Sequence, residues 1–275
     1  MTRVFRPIAL FLFAISYLGI ALPVLGHEFW LEPENFQPET GETVSVRFRN
    51  GQKFKGAELG YFKDSAVIFD WMQNGTRTPI MARSGDFPAL QATADQDGLL
   101  VLIYQTKFNI LKYTDWEKFV GFTKHKDFRG ALERHAERGL PQEGFKEIYT
   151  RFCKSLIGVG TGTGQDDATG METEFVALSN PYTDDLSNGF SVQLFYQGRP
   201  RKKTQIEVFE KTPAGKVNIT YQHTDDQGKA LIPVKPGHVY LLDAVVLREP
   251  TEGIAAKHDA VWESLWASMT FAIPD

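Results

Sequence analysis

Short runs of alternating apolar and polar residues fill the chain from residue 28 to about residue 113. Residues 44–48 alternate strictly, which is the period of two expected of a half-buried β-strand. Further strands are predicted over 67–69 and 99–104, with a weaker one at 80–81. Turn-forming residues separate the runs. The pattern therefore predicts a β-rich N-terminal domain.

The middle of the chain changes to a helical period. Thr114 and Glu117 have the spacing of a capping box, and apolar residues after them share one helical face. His135 continues a second helical stripe and is expected in the core. Pro141 opens a third predicted helix, whose apolar positions end at Gly158. The segment 114–157 is therefore predicted to be a helical insertion in a domain that covers residues 27–157.

The segment 158–170 is rich in glycine and polar residues, which predicts a linker and a domain boundary. Residues 171–275 contain roughly seven alternating runs separated by turns, the signature of an antiparallel β-sandwich of immunoglobulin or transthyretin type. The predicted fold class is mainly β, with two β-rich domains, the C-terminal one a sandwich, and helices between them.

The first 26 residues have the organisation of a secretion signal. Arg3 and Arg6 precede an apolar run over 8–24, and cleavage is predicted after Gly26. The alternative is an uncleaved membrane anchor, for which the run is only marginally long enough. We expect a periplasmic protein that does not span the membrane after the signal is removed.

Charge and cysteine content limit the chemistry. The formal net charge is −4, which does not favour nucleic-acid binding. A single cysteine, Cys153, excludes an intramolecular disulfide and any metal site built on several thiolates. Cys153 is expected to be a small buried hydrophobe. Any metal site must therefore use imidazole, amine and carboxylate groups.

Cleavage after Gly26 would make His27 the first residue. Its α-amino group and imidazole Nδ1 could then chelate one metal ion, and imidazole suits nickel, cobalt, copper and zinc. The alternative is a histidine that merely precedes a strand. His258, beside Asp259, and His125, between two lysines that oppose cation binding, are the further candidate ligands. The predicted metal ligands are therefore His27, His258 and His125.

Motifs of common enzymes are absent from the sequence. It contains no H-E-x-x-H, C-x-x-C or G-x-S-x-G spacing, so a non-enzymatic protein is expected. One enzymatic alternative is a copper oxidase that acts on polysaccharide through an N-terminal histidine brace. Trp262 and Trp266 could form a sugar-stacking platform, although packing inside the protein is the simpler interpretation.

Six short motifs lie along nearly the whole chain after the signal: His27-Glu28-Phe29-Trp30-Leu31, Lys154-Ser155-Leu156, Asn180-Pro181-Tyr182, Gly198-Arg199-Pro200, Thr224-Asp225-Asp226-Gln227-Gly228 and Trp262-Glu263-Ser264-Leu265-Trp266-Ala267-Ser268-Met269-Thr270-Phe271. In these motifs the chain resembles a bacterial family of exported proteins that serve as periplasmic components of cobalt/nickel uptake systems. The resemblance implies a two-part β-rich protein that binds nickel or cobalt, with copper as a further option, and works with a membrane transporter subunit. The alternative is a secreted β-sandwich that binds a protein or glycan without metal.

Overall fold

The computed structural model describes residues 27–275, and the predicted signal segment 1–26 lies outside the described residues. Strands hold 48% of this part of the chain and helices 11%, which confirms the mainly β class. The helices of residues 27–275 are α1 (Trp116–His125), α2 (Ala131–Glu137) and α3 (Glu252–His258). The strands are β1 (Glu28–Pro33), β2 (Thr43–Gln52), β3 (Lys55–Leu59), β4 (Ala66–Gln73), β5 (Thr76–Pro79), β6 (Leu90–Thr93), β7 (Gly98–Thr106), β8 (Asn109–Lys112), β9 (Lys146–Val159), β10 (Thr173–Ala177), β11 (Phe190–Tyr196), β12 (Arg199–Pro200), β13 (Gln205–Lys211), β14 (Val217–His223), β15 (Lys229–Ile232), β16 (Val239–Arg248) and β17 (Ala260–Ala272).

One sheet of nine strands runs through both parts of the described chain. Its order is β14-β13-β16-β17-β9-β7-β4-β5, and β8 also pairs with β9. Strands β17 and β9 are parallel, whereas their neighbours on either side pair antiparallel. The domain boundary placed at 158–170 stays a prediction, and strands from both sides of it are hydrogen-bonded in this central sheet.

A four-stranded sheet packs on each face of the central sheet. Strands β10, β11, β12 and β15 form one of them, and β1, β2, β3 and β6 form the other. The predicted β-sandwich is thereby confirmed, and its core also includes residues of β7 and β9. Strand β7 shows the division, because alternate side chains enter the two cores: Leu99, Val101 and Ile103 on one face, Leu100, Leu102 and Tyr104 on the other.

The prediction of a helix over 141–157 is wrong, because most of this segment forms the central strand β9. A strand covered on both faces carries apolar residues at nearly every position. Phe152 and Leu156 enter one core, and Cys153 and Ile157 enter the other. Apolar spacings of three and four arise by chance in such a run and mimic a helical stripe. Cys153 lies on this strand and is fully buried, as expected of a small hydrophobe.

The two helices between β8 and β9 confirm part of the predicted helical insertion. Asp115 rather than Thr114 caps α1, because its side chain accepts the backbone N–H of Glu117. The helices cover an aromatic cluster on the same face of the central sheet as β1. Trp262 and Trp266 belong to this cluster and are almost fully buried, so they pack inside the protein and offer no platform for a sugar.

Candidate metal centre

Three carboxylates converge where β1 crosses the central sheet. Glu207 on β13 lies directly opposite Asp243 on β16 in the antiparallel register. Since Ile206 and Val208 enter the sandwich core, strand alternation directs Glu207 to the opposite face. The first residue of β1, Glu28, meets them there, and all three residues are at most 3% exposed.

The ammonium group of Lys126 lies among these carboxylates. Its Nζ is 3.3 Å from Glu28 Oε1, 2.6 Å from Glu207 Oε2 and 2.8 Å from Asp243 Oδ2. Burial alone would lower the pKa of Lys126, but the three carboxylates outweigh it and hold that pKa above its usual value. Lys126 is the C-cap of α1, so the end of this helix is tied to β1, β13 and β16.

His125, the last residue of α1, joins the same group. Its Nε2 is 3.0 Å from Glu207 Oε2. Ligand atoms of Glu28, His125 and Glu207 lie within 4.8 Å of one another, close enough for one metal ion to bind all three. Nitrogen and oxygen donors in this proportion suit a borderline divalent transition metal.

One carboxylate oxygen of this group lacks a hydrogen-bond partner among residues 27–275. Glu28 Oε2 is buried and accepts no hydrogen bond from this part of the chain, although Oε1 of the same carboxylate accepts one from Lys126. Burial, opposed by Lys126 and reinforced by Asp243 and Glu207, raises the pKa of Glu28 to about 7. For Glu207, burial would raise the pKa, but hydrogen bonds from His125 and Lys126 hold it below its usual value.

A cavity of about 40 Å³ adjoins the three candidate ligands. A space of this size is large enough for an ion or a water molecule. Its lining combines the ligands with the last residue of β2, one residue of the β2–β3 turn and two apolar residues of β13 and β14: Glu28, Gln52, Lys53, His125, Glu207, Phe209 and Ile219.

The structure brings one of the three predicted histidine ligands, His125, into this centre. His27 directly precedes Glu28 and is exposed, and its backbone carbonyl accepts a hydrogen bond from buried Arg151. His258 ends α3, where its ring packs 4.7 Å from Phe108. It belongs to no group of candidate ligands among residues 27–275. Of the three predicted histidine ligands, His125 belongs to the candidate group, whereas His27 and His258 belong to none among residues 27–275.

His135 has a structural position, as the sequence predicted. It is buried, and its Nδ1 accepts a hydrogen bond from Trp262 Nε1 at 3.0 Å. Its Nε2 lies 3.0 Å from the carbonyl oxygen of Pro141, so both ring nitrogens are paired. Burial lowers the pKa of His135 and favours the neutral ring that these two bonds require.

Of this centre, sequence reasoning named His125 but missed the carboxylates and Lys126. A usable signal was present, because Asp243 is the single charge in the apolar run 239–247 and Glu207 lies between two apolar residues, Ile206 and Val208. Such residues are rarely buried without a partner. Their mutual contact depends on strand register between distant segments, which the local pattern does not contain.

Comparisons with known proteins identify a family but no function. Residues 27–275 contain no helix long and apolar enough to cross a membrane. Among curated proteins, none matches the chain significantly. One similar solved structure is a tetra-tandem repeat in the extending region of a large adhesion protein, at 9% identity and a TM-score of 0.21, with 90% of this chain and 49% of that one covered. This chain thus spans about half the length of that structure. A family model described as a domain of unknown function, DUF4198, matches residues 24–248, and the chain belongs to this family.

Proposed function

We propose that this chain is an exported protein that binds a divalent transition-metal ion, nickel or cobalt, through Glu28, His125 and Glu207. The observation that carries the proposal is the convergence of these side chains around the unpartnered, buried Glu28 Oε2. A buried carboxylate oxygen without a partner costs roughly 1–3 kcal/mol or more. Coordination to a metal ion would remove that cost.

Once Glu28 has lost its proton, the charge of the centre favours a cation. Glu28, Glu207 and Asp243 supply three carboxylates, against the ammonium of Lys126 and the guanidinium of nearby Arg151. His125 adds a nitrogen donor that coordinates as the neutral ring. A mixed set of one imidazole and carboxylates matches nickel, cobalt or zinc better than magnesium, which prefers oxygen alone.

His27 extends the same set if the signal is removed after Gly26. Its amine and imidazole would then lie on the exposed residue that directly precedes Glu28 in the chain. Two additional nitrogen donors would raise affinity for nickel, cobalt and copper over oxygen-preferring ions. Together with the resemblance to cobalt/nickel uptake proteins, this supports a periplasmic capture subunit that delivers metal to a membrane transporter.

Calorimetric titration of the metal-free chain beginning at His27 tests the proposal. We expect saturable binding of Ni²⁺ and Co²⁺, much weaker binding of Mg²⁺, and a loss of about tenfold or more in affinity in His125→Ala and Glu28→Gln. His258→Ala is the matched control, because His258 lies outside the centre, and it should bind as the wild type does.

Two outcomes contradict the proposal. Either Ni²⁺ and Co²⁺ do not bind, or His258→Ala weakens binding as much as His125→Ala does. A chain with one alanine added before His27 tests the N-terminal chelate separately: unchanged affinity removes His27 from the ligand set but leaves the other three residues. An oxidase activity with copper and a reductant would instead favour the enzymatic alternative.

A further inference from the structure

The outer edge of β14 lacks the features that normally prevent strand pairing. β14 ends the central sheet, and within the described residues β13 is the strand that pairs with it. Its sequence, Val-Asn-Ile-Thr-Tyr-Gln-His, contains no proline, lysine, arginine or carboxylate. Its pairing with β13 is continuous, without a bulge. Natural edge strands are usually short, charged, bulged or interrupted by proline.

The opposite edge of the same sheet provides an internal comparison. There β5 has four residues, including Arg77 and Pro79. Proline removes a backbone donor and the charge opposes stacking of like edges, so β5 is protected in the usual way. The seven residues of β14 carry neither device. The contrast within one sheet indicates that the β14 edge is kept available for a partner strand.

The sequence of β14 is complementary to itself. In an antiparallel pair centred on Thr220, Thr220 faces its own copy, Ile219 faces Tyr221, and Asn218 faces Gln222. Threonine pairs and pairs of an aromatic with a β-branched residue are favourable across strands, whereas like charges directly opposite each other are unfavourable. None of these positions carries a charge.

We infer that β14 pairs antiparallel with β14 of a second copy of this chain, about a twofold axis at Thr220. This arrangement covers Tyr221, which is 46% exposed in the single chain. It also continues the central sheet across the interface, with the same face on the same side in both copies.

The proposed strand pairing would place residues of the second copy next to the candidate metal centre, and it does not require a bound metal ion. Ile219 pairs with Phe209 in β13 and Tyr221 pairs with Glu207, so both side chains lie on the face that carries the centre. Ile219 also lines the cavity beside Glu28 and His125. Across the axis, the partner's Tyr221 would lie beside Ile219 and narrow the mouth of that cavity.

Disulfide trapping tests the register directly. Facing residues of an antiparallel pair have Cα atoms about 4.5–5.5 Å apart, which suits a disulfide. Under mild oxidation, Thr220→Cys should give a covalently linked dimer on non-reducing electrophoresis. Thr78→Cys, at an exposed position on the β5 edge, is the matched control and should stay monomeric. The native Cys153 is buried and does not interfere.

Light scattering after size exclusion provides the second measurement. The chain beginning at His27 should show a mass that rises towards twice the monomer's as its concentration increases. Thr220→Lys places two ammonium groups opposite each other and should abolish this rise, whereas Thr78→Lys should not. The inference is overturned if the wild type stays monomeric and Thr220→Cys cross-links no faster than Thr78→Cys. A dimer that persists in Thr220→Lys also overturns it.

Discussion

Replacing Lys154 with methionine should destabilise the protein by removing the cation from a buried ion triad. Lys154 Nζ lies 3.0 Å from Asp166 Oδ1 and 3.2 Å from Glu174 Oε2. All three side chains are at most 3% exposed. Asp166 belongs to the glycine-rich segment predicted to be a linker, so the triad anchors this loop between β9 and β10.

The size of the effect follows from what remains after the substitution. Removing one partner of a buried ion pair costs about 3–5 kcal/mol. Asp166 would keep the backbone N–H groups of Asp167 and Ala177. Glu174 would keep those of Thr169 and Gly170. Because these hydrogen bonds still satisfy part of both carboxylates, we expect the free energy of unfolding to fall by the lower end of that range, about 3 kcal/mol.

The loss should also depend on pH. Burial raises the pKa of Asp166, and Lys154 opposes that shift. Without Lys154 the pKa of Asp166 rises further, so the folded variant holds a proton that the unfolded chain releases. A group with a raised pKa in the folded state contributes stability at low pH and loses it as the pH rises. The deficit of Lys154→Met should therefore be larger at pH 8 than at pH 5.

Equilibrium unfolding in urea at both pH values measures these differences. Lys146→Met is the matched control, because Lys146 lies on the same strand and pairs with Asp259, whose side chain is 88% exposed. A pair of this kind contributes at most about 1 kcal/mol. Equal losses in Lys154→Met and Lys146→Met, or a deficit that does not grow with pH, would refute the reasoning.

Three further predictions concern buried contacts. Cys153 is fully buried, and burial raises its pKa to about 12. Thiol reagents at pH 8 should therefore label it only in denaturant. Rapid labelling of the folded protein would contradict the buried position of this thiol. Gly158→Ala would place a Cβ 2.7 Å from the ring of Tyr182. We expect the free energy of unfolding, measured in urea, to fall by about 1–3 kcal/mol. An unchanged unfolding midpoint would show that the ring moves away. Trp262→Phe removes the hydrogen-bond donor to His135 Nδ1. Because a buried acceptor is then left unpaired, the free energy of unfolding should fall by about 1–3 kcal/mol. This expectation fails if the variant unfolds as the wild type does.

The sequence predicts a strand best where one face of that strand meets solvent. In β2 the alternation is clear because only part of the strand is buried. It fails for β9, whose two faces enter different cores, so the apolar pattern no longer has a period of two. Helix and buried strand are then distinguished only by which segments pair, and that information lies in β7 and β17 rather than in β9 itself.

Prediction of the candidate site from the sequence is limited by the same lack of information about which segments pair. Histidines are few enough for His27, His258 and His125 to be singled out from the sequence, and of these three His125 lies in the candidate group. Glu207 and Asp243 become neighbours through the register of β13 with β16, and Glu28 reaches them only when β1 crosses the sheet. These contacts join positions far apart in the chain, so residue type and local spacing do not reveal them.

The attachment of β1 bears on what a metal ion would do at this centre. Ser268 and Thr270 of β17 donate hydrogen bonds to the carbonyl oxygens of Phe29 and Leu31. Lys126 already ties Glu28 to the central sheet. Because these contacts hold β1 in place without metal, none of the free energy of metal binding is needed to order this strand. A metal ion should therefore raise the unfolding midpoint only by mass action on the folded state, with Glu28, His125 and Glu207 already close to their binding positions.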